Sequence, residues 1–152
     1  MARRRPPRAR GPAPGRGGVP YQVFLSHATA DKWLACILCE KLEGVGTTTF
    51  RDDRDIRGGD DIPEEIFRQI RQSQEFRVLL TPASVSRPWV LLEIGAACGC
   101  DPPPRIIAVR YFVETDSIPS LIQSKKGFHL NEVDVYLQEV ASRVEARHEP
   151  IP

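Results

Sequence analysis

The 152-residue chain has no apolar run approaching the ~20 residues that span a bilayer, which argues against a transmembrane segment. Its arginine-rich start is not followed by the apolar stretch of a secretory signal, so a cytoplasmic location is expected. Charge of one sign is also missing overall, since the formal net charge is +1. That balance hides an asymmetry: Arg3, Arg4, Arg5, Arg8, Arg10 and Arg16 precede residue 21 with no acid among them. A stretch of arginine, proline and glycine cannot bury enough apolar surface to offset its ordering entropy. Residues 1–20 therefore read as a disordered tail, either a solvated extension, an overlong start, or an arm whose charge meets nucleic acid or an acidic surface. Cysteine is sparse, with Cys36, Cys39, Cys98 and Cys100 in two short spacings. Cys36 and Cys39 fall inside an amphipathic helical pattern with no knuckle turn around them, so the reading is packed free thiols and no metal.

What remains, residues 21–147, carries 3.6-residue and short apolar periodicities in alternation, with 148–152 as a C-terminal tail. Tyr21 to Leu25 reads as a buried strand ending in a loop at Ser26 and His27. Asp31 opens a helix with Leu34, Leu38 and Leu42 on one face, and Gly44 is expected to stop it. Gly46 to Arg51 reads as a second strand and Asp52 to Asp60 as a long loop. Asp61, Pro63 and Glu64 form a helix start, with Ile62, Ile66 and Ile70 as the buried stripe behind it. Phe76 to Leu80 is the third strand, Ser86 to Cys98 the next helix, and Arg105 to Val109 a fourth strand apolar enough to be covered on both faces. Gly127 to Leu130 reads as a fifth strand, and Asn131 as the cap of a last helix carrying Val133, Tyr136, Leu137, Val140 and Val144. Strands alternating with helices predict an α/β, flavodoxin-like fold: a parallel sheet with helices on both faces. In such a sheet ligands collect beyond the carboxyl ends of the strands, where strand order reverses.

Trp89 and Glu93 stand four apart on one helix, near the start of the helix that follows the third strand. Spacing alone leaves two readings. The tryptophan belongs to the core and the glutamate is a solvated partner of a nearby arginine, or both project into a site at the functional rim.

Several segments, in order, resemble a Toll/interleukin-1 receptor (TIR) domain of the bacterial type. They are Val23 to His27 with Asp31 and Lys32; Phe50 to Asp60 with Ile62, resembling the BB loop; and Val78 to Pro82 followed by Ser84 and the W-x-x-x-E run Trp89 to Glu93. The resemblance implies a five-stranded parallel sheet in the order 2-1-3-4-5. It implies that Glu93 is the catalytic residue of an enzyme cleaving the nicotinamide–ribose bond of NAD+, which is substrate and not cofactor. It assigns substrate contacts to Trp89, Ser26, His27 and Asp52, and assembly to Asp53, Arg54, Ile56, Gly58 and Gly59 of the BB loop. The partners implied are NAD+, other TIR domains by self-association, and a separate sensor or effector, in a defense or signaling pathway. The short loop after the first strand, with Ala28 and Ala30, departs from relatives that offer polar side chains there.

Three other readings compete. A noncatalytic TIR interaction module would tolerate other residues at positions 89 and 93. A phosphoryl-accepting receiver domain needs an acidic pair after strand one and an aspartate after strand three, where this chain has Ser26, His27, Thr81 and Pro82. A nucleoside deoxyribosyltransferase-like enzyme also uses a glutamate on a ribosyl–base bond, but the BB-loop pattern argues against it.

Overall fold

The computed structural model describes residues 20–52 and 64–148. The remaining residues, including most of the basic tail, the capping Asp61 and Pro63, Ile62, and residues 149–152 of the C-terminal tail, lie outside the described residues.

The five strands β1 (Gln22–Ser26), β2 (Thr48–Arg51), β3 (Glu75–Leu80), β4 (Arg105–Arg110) and β5 (Phe128–His129) form one sheet in the order β2-β1-β3-β4-β5. Every pairing is parallel, with Phe24 beside Phe50 on one side and Phe76 on the other. This is the flavodoxin-like order expected. The helices are α1 (Lys32–Gly44), α2 (Glu64–Gln72), α3 (Pro88–Cys98) and α4 (Val133–His148). Right-handed crossovers place α2 and α3 on one face and α1 and α4 on the other.

Side chains alternate across each strand, so both faces of the sheet are used. Phe24, Phe76, Val78 and Leu80 pack with Ile66 and Ile70 of α2 and Ile94 of α3. Leu25, Leu79 and Val109 meet Leu34, Ala35 and Leu38 of α1, while Val23 and Ile107 meet Tyr136 and Val140 of α4. The ring of Phe24 stacks between those of Phe50 and Phe76, with centroids 5.4 and 5.5 Å away.

Several element ends differ from the sequence reading: β2 begins at Thr48 rather than Gly46, and α3 at Pro88 rather than Ser86. Helix α1 runs through Gly44, and the chain reverses at Gly46, where φ is +96° and only glycine is unstrained. The fifth strand is only two residues long. Asn131 does not cap the last helix: it lies inside a 3-10 turn, Leu130–Glu132, that leads into α4, and His129 caps that turn, its Nδ1 accepting the Asn131 N–H. Position 127, just before β5, has room only for glycine, since a Cβ there would come within 2.6 Å of the Ala108 carbonyl oxygen. No helix among the described residues is long and apolar enough to cross a membrane.

Candidate active site

Strand order reverses between β1 and β3, since the chain leaves β1 toward β2 and returns to β3 on the other side. Ser26 ends β1 at this point, in register with Val78 of β3. Helix α3 begins shortly after β3, with Pro88 at its first position, where a missing N–H costs nothing. One turn and a half into it, Glu93 comes back over the end of β1.

There the Ser26 hydroxyl donates to Oε1 of Glu93 at 2.9 Å. Both side chains are buried, Ser26 at 1% exposure and Glu93 at 2%. Oε2 of Glu93 is also buried and has no hydrogen-bond partner among the described residues. Burial pushes the Glu93 carboxyl up to about 8, the Ser26 hydrogen bond pulls it back in part, and the nearby Asp52 carboxylate pushes it further. A buried carboxyl with no cation against it is costly, and such groups cluster where chemistry is done. Among the described residues this glutamate is neither solvated nor paired with an arginine, unlike the structural reading.

Trp89 lies one turn before Glu93, half-buried against the α2/α3 side of the core. Its Nε1 is buried without a hydrogen-bond partner among the described residues. Position 89 thus serves the core with one part of its ring, as the structural reading held, while remaining next to Glu93. His27 is buried at 4% exposure just past the end of β1. Asp52 follows β2 directly, half-buried and close enough to act on Glu93. The structure thus brings Ser26, Glu93 and Asp52 to one place, with Trp89 and His27 on the adjoining turn and loop. Asp53, Arg54, Ile56, Gly58 and Gly59 lie outside the described residues.

One contact of the rim went unread in the sequence. The Thr81 hydroxyl donates to Asp31 Oδ2 at 2.6 Å, tying the loop after β1 to the loop after β3. Asp31 stands at the cap position of α1 but makes no side-chain capping bond, because its carboxylate is committed to Thr81. Fifty residues separate the two, and no local pattern marks such a pair. Ser84 is likewise buried, donating to the Leu79 carbonyl and accepting the Thr81 N–H, so it shapes the turn after β3. Among the described residues no three His, Cys, Asp or Glu side chains are grouped to hold a metal ion.

Residues 23–142 match the model of the TIR domain family. The chain is 30% identical over 108 residues to TMV resistance protein N of Nicotiana glutinosa, a match covering 70% of this chain and 9% of that much longer protein. Among solved structures it is similar to the TIR domain of the Toll-related receptor TRR-2 of Hydra magnipapillata, with a TM-score of 0.63 and 20% identity over 81% of this chain and 97% of that one. It is also similar to a metazoan TIR-STING receptor of C. gigas in complex with 2',3'-cGAMP, with a TM-score of 0.60 and 19% identity over 81% of this chain and 40% of that one. At these identities the structural likeness concerns the fold alone. The family match spans nearly all of the described sheet and its helices, and the chain belongs to the TIR domain family.

Proposed function

We propose that this chain is a TIR-domain NAD+ nucleosidase of the bacterial type, cleaving the nicotinamide–ribose bond with Glu93 as its catalytic carboxylate. The observation that supports it most is the environment of Glu93: buried at the switch point, oriented by Ser26, and opposed by no cation among the described residues.

The chemistry asks for little else. The nicotinamide ring is already a cation on the nitrogen that leaves. When the C1′–N bond breaks, its electron pair goes to that nitrogen and nicotinamide departs neutral, so no general acid is needed. An ordinary glycoside, by contrast, requires two carboxyl groups. Positive charge then develops on the ribose, and an ionised Glu93 would stabilise it in a site where water is excluded. Water adding to C1′ and losing a proton gives ADP-ribose; capture by a nucleophile of the same molecule gives a cyclic isomer.

Near neutral pH the raised Glu93 carboxyl favours its proton, as burial dictates. A pyridinium cation entering beside it would favour the charged form and expel that proton. Ser26, buried and committed to Oε1, serves in this reading by aiming Glu93 rather than by touching the ribose. Trp89 would offer its ring to the pyridinium, and Asp52 would add negative charge at the mouth. His27 would complete the ribose side.

Relatives support a setting in signaling. One is a resistance protein, and another similar structure is the TIR portion of an activated Roq1 resistosome recognizing the effector XopQ, with a TM-score of 0.53. We read this chain accordingly as a signaling or defense module that assembles with other TIR domains and answers to a separate sensor. A second reading, a noncatalytic interaction module, is favored by the exposed Trp33 and Phe112, at 64% and 75% exposure. Incubation of concentrated protein with NAD+ and chromatography of the products separates the two. Nicotinamide release that falls by ~10²–10³ in Glu93→Gln supports the enzyme. Release that is absent, or unchanged by that substitution, refutes it.

A further inference from the structure

The ladder between β1 and β3 ends at the pair Ser26 and Val78, yet β3 continues to Leu80 and then into the loop that carries Thr81. Beyond that pair the sheet does not join the end of β1 to the segment leading into α3. Ser26 and Glu93 belong to those two segments, so the 2.9 Å bond between them depends on contacts made outside the sheet.

A network of hydrogen bonds supplies those contacts. The Asp31 N–H donates to the Ala28 carbonyl at 2.9 Å, folding the loop after β1 into the 3-10 turn Thr29–Asp31. The Thr81 hydroxyl donates to Asp31 Oδ2 at 2.6 Å and accepts the N–H groups of Ala83 and Ser84, both at 3.2 Å. A hydroxyl has one proton and two lone pairs, so the hydrogen-bonding capacity of Thr81, 3% exposed, is fully engaged. The Ser84 carbonyl then accepts the N–H of Arg87, the cap residue of α3, at 3.0 Å. The bonds close a ring: from β1 through Ala28 to Asp31, across to Thr81, through Ser84 and Arg87 into α3, and from Glu93 back to Ser26. Its one side-chain link between the two loops is Thr81 to Asp31.

We propose that Asp31 and Thr81 are positioning residues for Glu93: the bond between them holds the loop after β1 against the turn that launches α3, and so keeps the Ser26 hydroxyl on Glu93 Oε1. That the positioned carboxyl does chemistry rests on the NAD+ nucleosidase reading; that the tie sets the Ser26–Glu93 bond does not. A carboxylate that must face a developing charge works only within a narrow range of placement, and a displacement of about 1 Å is costly. Asp52, which also acts on Glu93, follows β2 and lies outside the ring, so breaking the tie leaves it in place.

The test is the titration of the Glu93 carboxyl in the full chain, followed by carbon-13 NMR without NAD+, together with nicotinamide release from NAD+. Thr81→Val removes the hydroxyl at nearly constant volume. It should move the Glu93 titration upward, in the same direction as Ser26→Ala, because the bond loosened in both favours the carboxylate. Near neutral pH kcat/KM for NAD+ should fall about tenfold. The double variant of Thr81→Val and Ser26→Ala should titrate like Ser26→Ala alone, since both changes act on one bond. Thr81→Ser keeps the hydroxyl and should restore both readouts. Asp31→Ala breaks the tie from its other end and should repeat the shift, whereas Asp31→Asn keeps an acceptor, drops the charge and should titrate like wild type. The proposal is overturned if breaking the tie leaves the Glu93 titration unmoved, or if its shift adds to that of Ser26→Ala. A downward shift overturns it too, since water would then have entered and the tie would seal the pair rather than aim it. Failure of both Thr81→Val and Asp31→Ala to fold overturns it in favour of a purely structural role. A wild type that releases no nicotinamide refutes the nucleosidase reading, and the titration then decides on the tie by itself.

Discussion

Two glutamates are buried against this sheet, at opposite ends, and they are treated in opposite ways. Glu75, at the amino end of β3, is 0% exposed and meets Arg77, Arg143 and the hydroxyl of Tyr21. Burial alone would raise its carboxyl, but Arg77 and the Tyr21 hydrogen bond, with Arg143, outweigh that and hold it below the usual range. Glu93, at the carboxyl end, is 2% exposed and, among the described residues, is met by a single serine hydroxyl. Its carboxyl is pushed up to about 8. The same residue type at nearly the same burial is thus a structural ion at one end and an unsatisfied group at the other. Burial of a charge is compatible with stability only when its partners are buried with it, and on the enzyme reading a site that receives a cation leaves that partner out.

The contrast is most easily broken at Glu75. Glu75→Ala leaves Arg77 buried against the ring of Tyr136 with no counterion, and unfolding by denaturant should report a loss of ~3–5 kcal/mol. A loss below ~1 kcal/mol would mean that water enters and the pair is not structural.

Glu93 should respond to pH in the opposite sense. Its folded value of about 8 exceeds the ordinary carboxyl value of 4.5, so between these the folded state holds more protons than the unfolded chain. The contribution of this group to stability is therefore greatest below pH 4.5, declines as pH rises toward 8, and levels off above it. The decline should be at most about 1.4 kcal/mol per pH unit and absent in Glu93→Gln, as thermal unfolding across that range would show. On the enzyme reading, kcat/KM for NAD+ rises across the same window, because the ionised form is the one that works.

Ser26→Ala should lower kcat/KM about tenfold and move its rising limb to higher pH, since the lost hydrogen bond is one that favours the carboxylate. An unmoved pH limb would reduce Ser26 to packing. The smallest effect belongs to Tyr21→Phe. Glu75 keeps both arginines, so stability should fall by about 1 kcal/mol with nicotinamide release unchanged.

Much of this architecture was legible before any coordinates. The leucines of α1, the isoleucines of α2 and the spacing of Tyr136, Val140 and Val144 on α4 recur with the period of a helix face, and all of them are buried as that period requires. Element ends were read less well, because they depend on particular contacts. Asp31 looks like a capping aspartate and is claimed by Thr81 instead, and Asn131 falls inside a 3-10 turn that His129 caps. At the candidate site the pair Trp89 and Glu93 could be marked from spacing and family resemblance. The role of Ser26 as the holder of Glu93 could not.

Periodicity in the chain by itself determined which segments are strands and helices, which faces are apolar, and that the sheet is parallel with two covered faces. It also put Glu93 near the rim. Only the tertiary structure decided which buried glutamate is neutralised. Ser26 and Glu93 are 67 residues apart, Glu75 and Arg143 are 68 apart, and neither pairing leaves a local trace. Charge compensation acts through a few ångströms of space, whereas the patterns a sequence displays run along the chain.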